Sequence, residues 1–129
     1  MIYLDSAAVV KLVRREPGTT ALVEWLNART GTPLLSSVLV EVEVPRALRR
    51  SAPAALPAVP GTLGRLYRLE IDATTRAAAA SLPDASLRSV DAIHLATAVQ
   101  IGAQLEAFVT YDTRLLDAAR QAGLAVASP

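Results

Sequence analysis

Apolar and polar positions along this chain follow two alternating periods. Short apolar or alternating runs, of the kind that form strands, cover residues 1–5, 34–35, 69–72, 107–110 and 124–127. Helical spacing of apolar residues predicts helices over 6–15, 19–26, from Ser36 or Ser37 to about Arg50, and over 62–67, 74–82, 90–102 and 113–122. Strands that alternate with helices predict a three-layer α/β/α sandwich with a mainly parallel sheet.

Proline interrupts this pattern at two places. Pro45 lies inside the third predicted helix and removes a backbone hydrogen bond to the Glu41 carbonyl, so a kink is expected there. The proline-rich stretch 51–60 is the only linker-like segment, and we predict a loop. A chain of 129 residues has the size of one domain, so residues 1–129 are predicted to form a single unit.

Composition narrows the kinds of site that this chain can carry. Apolar residues make up 52% of the chain and aromatic residues only 4%, which favours aliphatic helix layers packed on a buried parallel sheet. The chain has no cysteine, which excludes disulfides, thiolate metal sites and cysteine nucleophiles. The only histidine is His94, so no site can use two imidazoles.

The charges do not identify a partner by themselves. The formal net charge is +1, and Lys11 is the only lysine among 13 basic residues. Arginine suits bidentate contacts with phosphate, but a genome rich in G and C would produce the same bias. No secretory signal and no apolar run of about 18 residues is visible, so we expect a cytoplasmic protein with no membrane segment.

Four acidic residues are candidates for a shared site. In an open parallel sheet, ligands bind beyond the carboxyl ends of the strands. Asp5 ends the first predicted strand and Asp112 follows the strand at 107–110, so both are expected at one edge of the sheet. Asp91 opens the helix at 90–102, and Glu43 lies within the third helix.

A structural role for these acids is the competing interpretation. Asp5, Asp91 and Asp112 each precede or open a helix, where a carboxylate stabilises the first turn by about 0.3–1 kcal/mol. A glutamate in the middle of a helix has no capping role. Helical spacing, however, does not choose between Glu41 and Glu43.

Four stretches of the chain resemble the PIN-domain nucleases, specifically the VapC-type toxins of bacterial toxin–antitoxin pairs. They occur in the family's order and span nearly the whole chain. The stretches are Ile2-Tyr3-Leu4-Asp5-Ser6-Ala7, Ser37 to Leu48, Ser89-Val90-Asp91-Ala92-Ile93-His94-Leu95-Ala96-Thr97-Ala98, and Val109-Thr110-Tyr111-Asp112-Thr113-Arg114-Leu115. The resemblance implies one PIN-like domain over 1–129.

The resemblance also implies which acids act. The family's helix acid lies six residues after a serine and three before an arginine, which selects Glu43 over Glu41. Pro45 departs from the family's pattern, in which small or aliphatic residues are usual. His94 is not a primary metal ligand in such proteins, and a hydrogen-bonded core histidine is the expected role.

A metal-dependent ribonuclease follows from this resemblance. Four converging carboxylates would raise one another's pKa unless cations occupied the site, and an all-oxygen site selects Mg²⁺ or Mn²⁺. Asp5 and Asp91 are expected as direct ligands, with Glu43 binding the metal or orienting water and Asp112 completing the site. Hydroxyls of Ser6 and Thr110 are expected to support these ligands. Candidate RNA contacts are Arg46, Arg49, Arg50 and Arg114. Hydrolysis of an RNA phosphodiester would then leave a 5′-phosphate.

The resemblance further implies a cognate VapB-type antitoxin and a toxin homodimer. An apolar patch that could face a partner is predicted around Leu22, Trp25, Leu26 and Leu48, although a core role is equally consistent.

Rival functions fit the sequence less well. A response-regulator receiver domain needs a lysine on a late strand, and Lys11 lies in the first helix. A haloacid-dehalogenase-type phosphatase needs an aspartate two residues after Asp5, where Ala7 stands. A catalytically inactive binding module of the same fold remains open as the alternative.

Overall fold

A computed structural model describes all residues, 1–129. Its strands are β1 Ile2–Leu4, β2 Leu34–Ser37, β3 Tyr67–Leu69, β4 Ala107–Val109 and β5 Val126–Ala127. Its α-helices are α1 Ser6–Val13, α2 Thr19–Asn27, α3 Val40–Ser51, α4 Val59–Leu63, α5 Ala73–Ala80, α6 Ser89–Ile101 and α7 Thr113–Gln121. Short 3₁₀ helices cover Pro53–Ala58 and Gly102–Gln104.

The five strands form one sheet in the order β3-β2-β1-β4-β5, and every neighbouring pair is parallel. β1 is central, with Ile2 opposite Leu34 on one side and Ala107 on the other. The chain builds outward from β1 to β2 and β3, then returns to add β4 and β5 on the opposite side. This arrangement confirms the predicted three-layer fold with a parallel sheet.

Two aliphatic cores lie on the two faces of the sheet. Along β1, Ile2 and Leu4 point to one face and Tyr3 to the other, as the period of a strand requires. The first face is covered by residues of α1 to α4, among them Ala8, Val9, Leu22, Val40, Val44, Leu48, Val59 and Leu63. The second is covered by α6 and α7, through Leu95, Ala98, Leu115, Ala118 and Ala119. α5 packs mainly against α6.

The third helix begins later than the sequence predicts. Ser36 and Ser37 belong to β2, where they pair with Arg68 and Leu69, and α3 begins at Val40. Serine can open a helix, but pairing with β3 on one side and a 2.6 Å hydrogen bond from Ser36 Oγ to the Leu4 carbonyl hold this segment extended. α3 then continues through Pro45 to its end.

The proline-rich stretch is helical rather than a loop. It forms the 3₁₀ helix Pro53–Ala58 and the first two residues of α4. Pro53 and Pro60 each occupy a first-turn position, where proline's fixed φ fits and its missing N–H is not needed. The following strand is Tyr67–Leu69 rather than 69–72, because its register is set by pairing with Leu35–Ser37.

All four residues of the predicted apolar patch pack in or against the first core. Leu22 and Leu48 are fully buried, whereas Trp25 and Leu26 are partly buried against the same core. The Arg29 guanidinium lies 3.8 Å from the centre of the Trp25 ring and covers part of it. No helix in the structure has the length and apolar character needed to cross a membrane.

The first core is tested by a pair of valine-to-alanine substitutions in helices. Val9 is fully buried in α1, whereas Val23 in α2 is 38% exposed. We expect Val9→Ala to lower the free energy of unfolding by about 2 kcal/mol, because it removes two buried methyl groups and leaves a cavity. Val23→Ala should change it by less than about 0.5 kcal/mol. Urea unfolding measures both, and equal effects would contradict the assignment of this core.

Candidate active site

The four predicted acids line one cleft at the carboxyl ends of β1 and β4. The cleft has a volume of about 440 Å³ and is lined by Asp5, Ser6, Ala7, Val10, Val42, Glu43, Arg46, Ala47, Arg50, Arg88, Val90, Asp91, His94 and Asp112. We call it the acidic cleft. It lies where the strand order reverses, which is where parallel sheets bind ligands. A larger cavity of about 510 Å³, beside Leu35, Thr75 and Gln100, contains none of the four acids.

Asp5 is held at the floor of the cleft by two hydrogen bonds. Its Oδ1 accepts from the Ala8 N–H at 2.8 Å and so caps α1, while Oδ2 accepts from Thr110 Oγ1 at 2.5 Å. Only 4% of the residue is exposed. Burial raises the pKa of Asp5 above its ordinary value and outweighs these hydrogen bonds, and the nearby Asp91 charge raises it further.

Asp112 is a cap of the same kind on the neighbouring strand. Its Oδ1 accepts from the Leu115 N–H at 3.1 Å, and its own N–H donates to Thr110 Oγ1 at 3.1 Å. The Thr110 hydroxyl therefore links Asp5 to the backbone of Asp112. Asp72 caps α5 through an equivalent bond from Thr75 and lies outside the acidic cleft. An aspartate can thus cap a helix without lying in the acidic cleft, so capping alone does not explain why Asp5 and Asp112 lie there.

Asp91 is not a cap. It lies in the first turn of α6 and pairs with Arg88, whose Nε lies 3.2 Å from Asp91 Oδ2. Arg88 is absent from the arginines that the sequence suggested, although its position three residues before Asp91 was a usable signal. Hydrogen bonding and charge from Asp91 raise the pKa of Arg88. Arg88 is the cation of this chain that pairs with an acid of the cleft.

The structure separates the two glutamates that the residue pattern left equivalent. Glu43 lies in the acidic cleft, whereas Glu41 is exposed outside it and pairs with Arg68 at 3.3 Å. Glu43 Oε1 accepts from Ser6 Oγ at 2.6 Å and contacts His94 Nε2 at 2.8 Å. Burial opposes ionisation of Glu43, but these two hydrogen bonds outweigh it and lower its pKa.

His94 is a buried residue with both ring nitrogens engaged. Its Nδ1 lies 2.8 Å from the Tyr3 hydroxyl, and its Nε2 contacts Glu43 and, at 3.0 Å, Ser6 Oγ. Neither nitrogen is left to bind a metal. The hydrogen-bonded core role expected for this histidine is the one that the structure describes.

Of the four arginines suggested as RNA contacts, two face the acids. Arg46 and Arg50 line the acidic cleft, one turn apart on α3. Arg49 and Arg114 are exposed outside it. Because an α-helix has 3.6 residues per turn, positions 46 and 50 of α3 lie on the same face as Glu43. Position 49 does not lie toward the cleft.

The side chains of the cleft offer oxygen donors, but they do not form a finished metal site. No group of three or more His, Asp or Glu side chains is close enough to hold an ion as it stands. The available donors are carboxylate oxygens, which suit a hard divalent cation. Burial, with a smaller contribution from the Asp91 charge, raises the pKa of Asp5 and so disfavours its ionised form in the floor of the cleft. The chemistry of the donor set therefore fits a bound cation.

The raised pKa of Asp5 predicts that the protein becomes more stable when the charge of this side chain is removed. Its pKa is higher in the folded than in the unfolded chain, so the folded protein binds the proton more tightly. Ionised Asp5 therefore lowers the stability of the fold. This loss of stability is absent below the pKa of the unfolded state, near 3.8, and grows as pH rises toward the higher pKa of the folded state. Asparagine preserves the cap. We expect Asp5→Asn, in chelator at pH 7, to raise Tm by about 4 °C for each kcal/mol relieved.

A matched cap provides the control for this experiment. Hydrogen bonds from the Thr75 backbone and side chain lower the pKa of the exposed Asp72, so its charge is favourable in the folded state. Asp72→Asn should therefore lower Tm at pH 7, with the effect lost as pH falls through the folded pKa. Thermal unfolding at pH 3 and pH 7 measures both variants. A destabilised Asp5→Asn at pH 7 would contradict the description of the cleft floor.

Comparison with known proteins agrees with the sequence and the fold. A model of the PIN domain matches residues 2–121. Ribonuclease VapC35 of Mycobacterium tuberculosis is 53% identical over 131 aligned positions, which cover 100% of this chain and 97% of that protein.

Two solved structures share the fold at low sequence identity. The crystal structure of VapC20 of Mycobacterium tuberculosis has a TM-score of 0.75 and 18% identity, and covers 100% of both chains. VapBC2 of Rickettsia felis has a TM-score of 0.71 and 18% identity, and covers 98% of both chains. The family match spans the strands and helices that carry all four acids. The resemblance noted in the sequence is confirmed, and the chain belongs to the PIN-domain family and, within it, to the VapC-type proteins.

Proposed function

We propose that this protein is a metal-dependent ribonuclease toxin that hydrolyses RNA phosphodiester bonds and is neutralised by a VapB-type antitoxin. The observation that carries this proposal is the meeting of Asp5, Glu43, Asp91 and Asp112 in one cleft, from four separate parts of the chain. VapC35, 53% identical over the whole chain, bears the name ribonuclease. A single domain over 1–129 holds the site, because β1 and β4 from opposite ends of the chain build its floor.

Mg²⁺, with Mn²⁺ as a substitute, is the cofactor that the donors favour. Asp5 and Asp91 would bind it directly, Glu43 would bind it or orient a water, and Asp112 would complete the site directly or through water. The ion, when bound, supplies a water of lowered pKa as nucleophile and charge stabilisation at the phosphate. Binding also offsets the repulsion between Asp5 and Asp91.

The chain's own side chains prepare this chemistry. The Thr110 hydroxyl holds one oxygen of Asp5, and the Ser6 hydroxyl holds one oxygen of Glu43. Asp91 and Glu43 are more buried than Arg88, whose side chain is 70% exposed. Three exposed arginines, Arg46, Arg50 and Arg88, thus line the same cleft as the more buried acids. This arrangement fits an RNA whose phosphates contact the arginines and whose scissile bond lies over the carboxylates. Cleavage of that bond would leave a 5′-phosphate.

The partners follow from the family. VapBC2, whose name joins VapB and VapC, shares this fold, which supports a VapB-type antitoxin as the inhibitor of this chain. A homodimer and a cytoplasmic site of action, where the RNA substrate is found, complete the proposal. The alternative is an inactive binding module, favoured by one observation: the acids do not form a finished three-ligand site.

Activity decides between these two functions. We expect the purified protein to cleave structured RNA in Mg²⁺ or Mn²⁺ and to lose cleavage in excess chelator. Asp91→Asn and Glu43→Gln should each lower the rate at least about a hundredfold, because each removes a carboxylate from the site. Glu41→Gln is the matched control, since Glu41 lies outside the cleft, and should stay within about twofold. Cleavage that persists in chelator would exclude the metal mechanism.

RNA binding tests the arginines separately from cleavage. In an Asp91→Asn background, in which we expect cleavage to be slow enough for binding to be measured, Arg50→Gln should weaken RNA binding and lower by about 1 the slope of log Kd against log salt. Arg49→Gln, one residue away but outside the cleft, is the control and should leave that slope unchanged. Equal losses for both variants would show that RNA contacts the exposed surface of α3 rather than the cleft.

A further inference from the structure

A network of hydrogen bonds through the buried side chains of Tyr3 and His94 connects the central strand to the helix that carries Glu43. The Tyr3 hydroxyl, on β1, lies 2.8 Å from Nδ1 of His94 on α6. His94 Nε2 lies 2.8 Å from Glu43 Oε1 on α3. Tyr3 is fully buried and His94 is 2% exposed. Three elements that are distant in sequence thus meet at one imidazole.

In this network, the Glu43 carboxylate selects the position of the imidazole proton, and the Tyr3 hydroxyl is compatible with it. Burial raises the pKa of Tyr3 far above its ordinary value, so its phenol remains a hydrogen-bond donor. The ionised Glu43 carboxylate, by contrast, only accepts. The neutral ring with its proton on Nε2 satisfies both neighbours, because it accepts from Tyr3 at Nδ1 and donates to Glu43 at Nε2.

We propose that Tyr3 and His94 are positioning residues that orient the Glu43 carboxylate toward the acidic cleft. This inference rests on the proposed function, because it assigns Glu43 a working role at the site. Oε1 accepts from both Ser6 and His94, whereas no protein group hydrogen-bonds to Oε2. Oε2 is therefore the oxygen left for a cation or a water. His94 acts through Glu43 and is not itself a ligand.

The surroundings make this arrangement rigid. The Tyr3 ring stacks on Phe108 with centroids 5.3 Å apart, and the His94 ring meets Tyr3 edge-on at 5.9 Å and 77°. A glutamate on a helix surface samples many rotamers, and holding one costs side-chain entropy at the moment of binding. Because the core holds the imidazole, the orientation of Glu43 is set before any cation arrives.

The single histidine makes the proton position directly observable. Nitrogen-15 NMR of the unmodified protein at pH 8 reports one imidazole, so only its two ring nitrogens must be told apart. We expect a proton on Nε2 and none on Nδ1. Tyr3→Phe should shift the Nδ1 resonance by removing its donor. Tyr67→Phe, which removes an exposed tyrosine hydroxyl on β3, should leave it unchanged. A proton on Nδ1 in the unmodified protein would overturn the proposal.

Binding of Mn²⁺ alone, measured by calorimetry, tests the consequence for the site. We expect Tyr3→Phe and His94→Leu to weaken it by about tenfold, as is usual when a group that orients a ligand is lost. His94→Gln can still donate from the position of Nε2 and should recover most of this loss. In a His94→Gln background, Tyr3→Phe should have no further effect, because glutamine offers no Nδ1 for Tyr3 to hold.

The two arms separate this inference from the proposed function. Unchanged Mn²⁺ affinity in Tyr3→Phe and His94→Leu would overturn the positioning role even if the protein proves to be a metal-dependent ribonuclease. If the unmodified protein binds no Mn²⁺, the metal mechanism fails, and the NMR arm then decides the inference: a Glu43→Gln variant must alter the Nε2 resonance. An Nε2 resonance insensitive to that substitution would exclude the contact on which the inference rests.

Discussion

The parallel pairing of β1 with β4 is the constraint on which the rest of the site depends. Its register places Leu4 opposite Val109, and the Asp5 N–H donates to the Val109 carbonyl at 3.1 Å. This bond fixes where each strand ends. Thr110 then reaches across to Asp5, and Asp112 caps the start of α7. A slip of one residue would move Ile2 and Leu4 to the face that Tyr3 now occupies and remove Asp5 from the cleft.

The cleft brings four carboxylates together, and burial affects their ionisation to different extents. Burial and the nearby Asp91 raise the pKa of Asp5, whereas hydrogen bonds outweigh burial at Glu43 and lower its pKa. Arg88 neutralises Asp91 from an exposed position, where it can be displaced with little loss. Ionised Asp5 is therefore disfavoured in the folded protein, and the divalent cation proposed for the site would offset this effect. Such local instability is common at functional sites.

Two of the carboxylates proposed to act at the site also cap helices. Asp5 and Asp112 each use one oxygen to cap a helix, so helix formation itself orients the carboxylates at the strand ends. Glu43 caps no helix, and its carboxylate is oriented by hydrogen bonds to Ser6 and His94 instead. The site is thus assembled in two ways: by local backbone geometry for the aspartates at strand ends, and by packing between distant elements for the glutamate.

The local sequence pattern predicted the architecture and three of the four acids, and the family resemblance selected the fourth, Glu43, over Glu41. The strand–helix alternation follows from local apolar periodicity, and the acids at 5, 91 and 112 stand at element boundaries that the pattern marks. Tertiary structure decided what local pattern does not encode. Ser36 and Ser37 became strand because β3 pairs with them, and residues 53–63 became helical despite their prolines. Arg88 rather than Arg49 or Arg114 joined the cleft, and Glu43 was distinguished from Glu41 by His94, 51 positions away. Such contacts depend on how helices lie across the sheet, which only the packed fold determines.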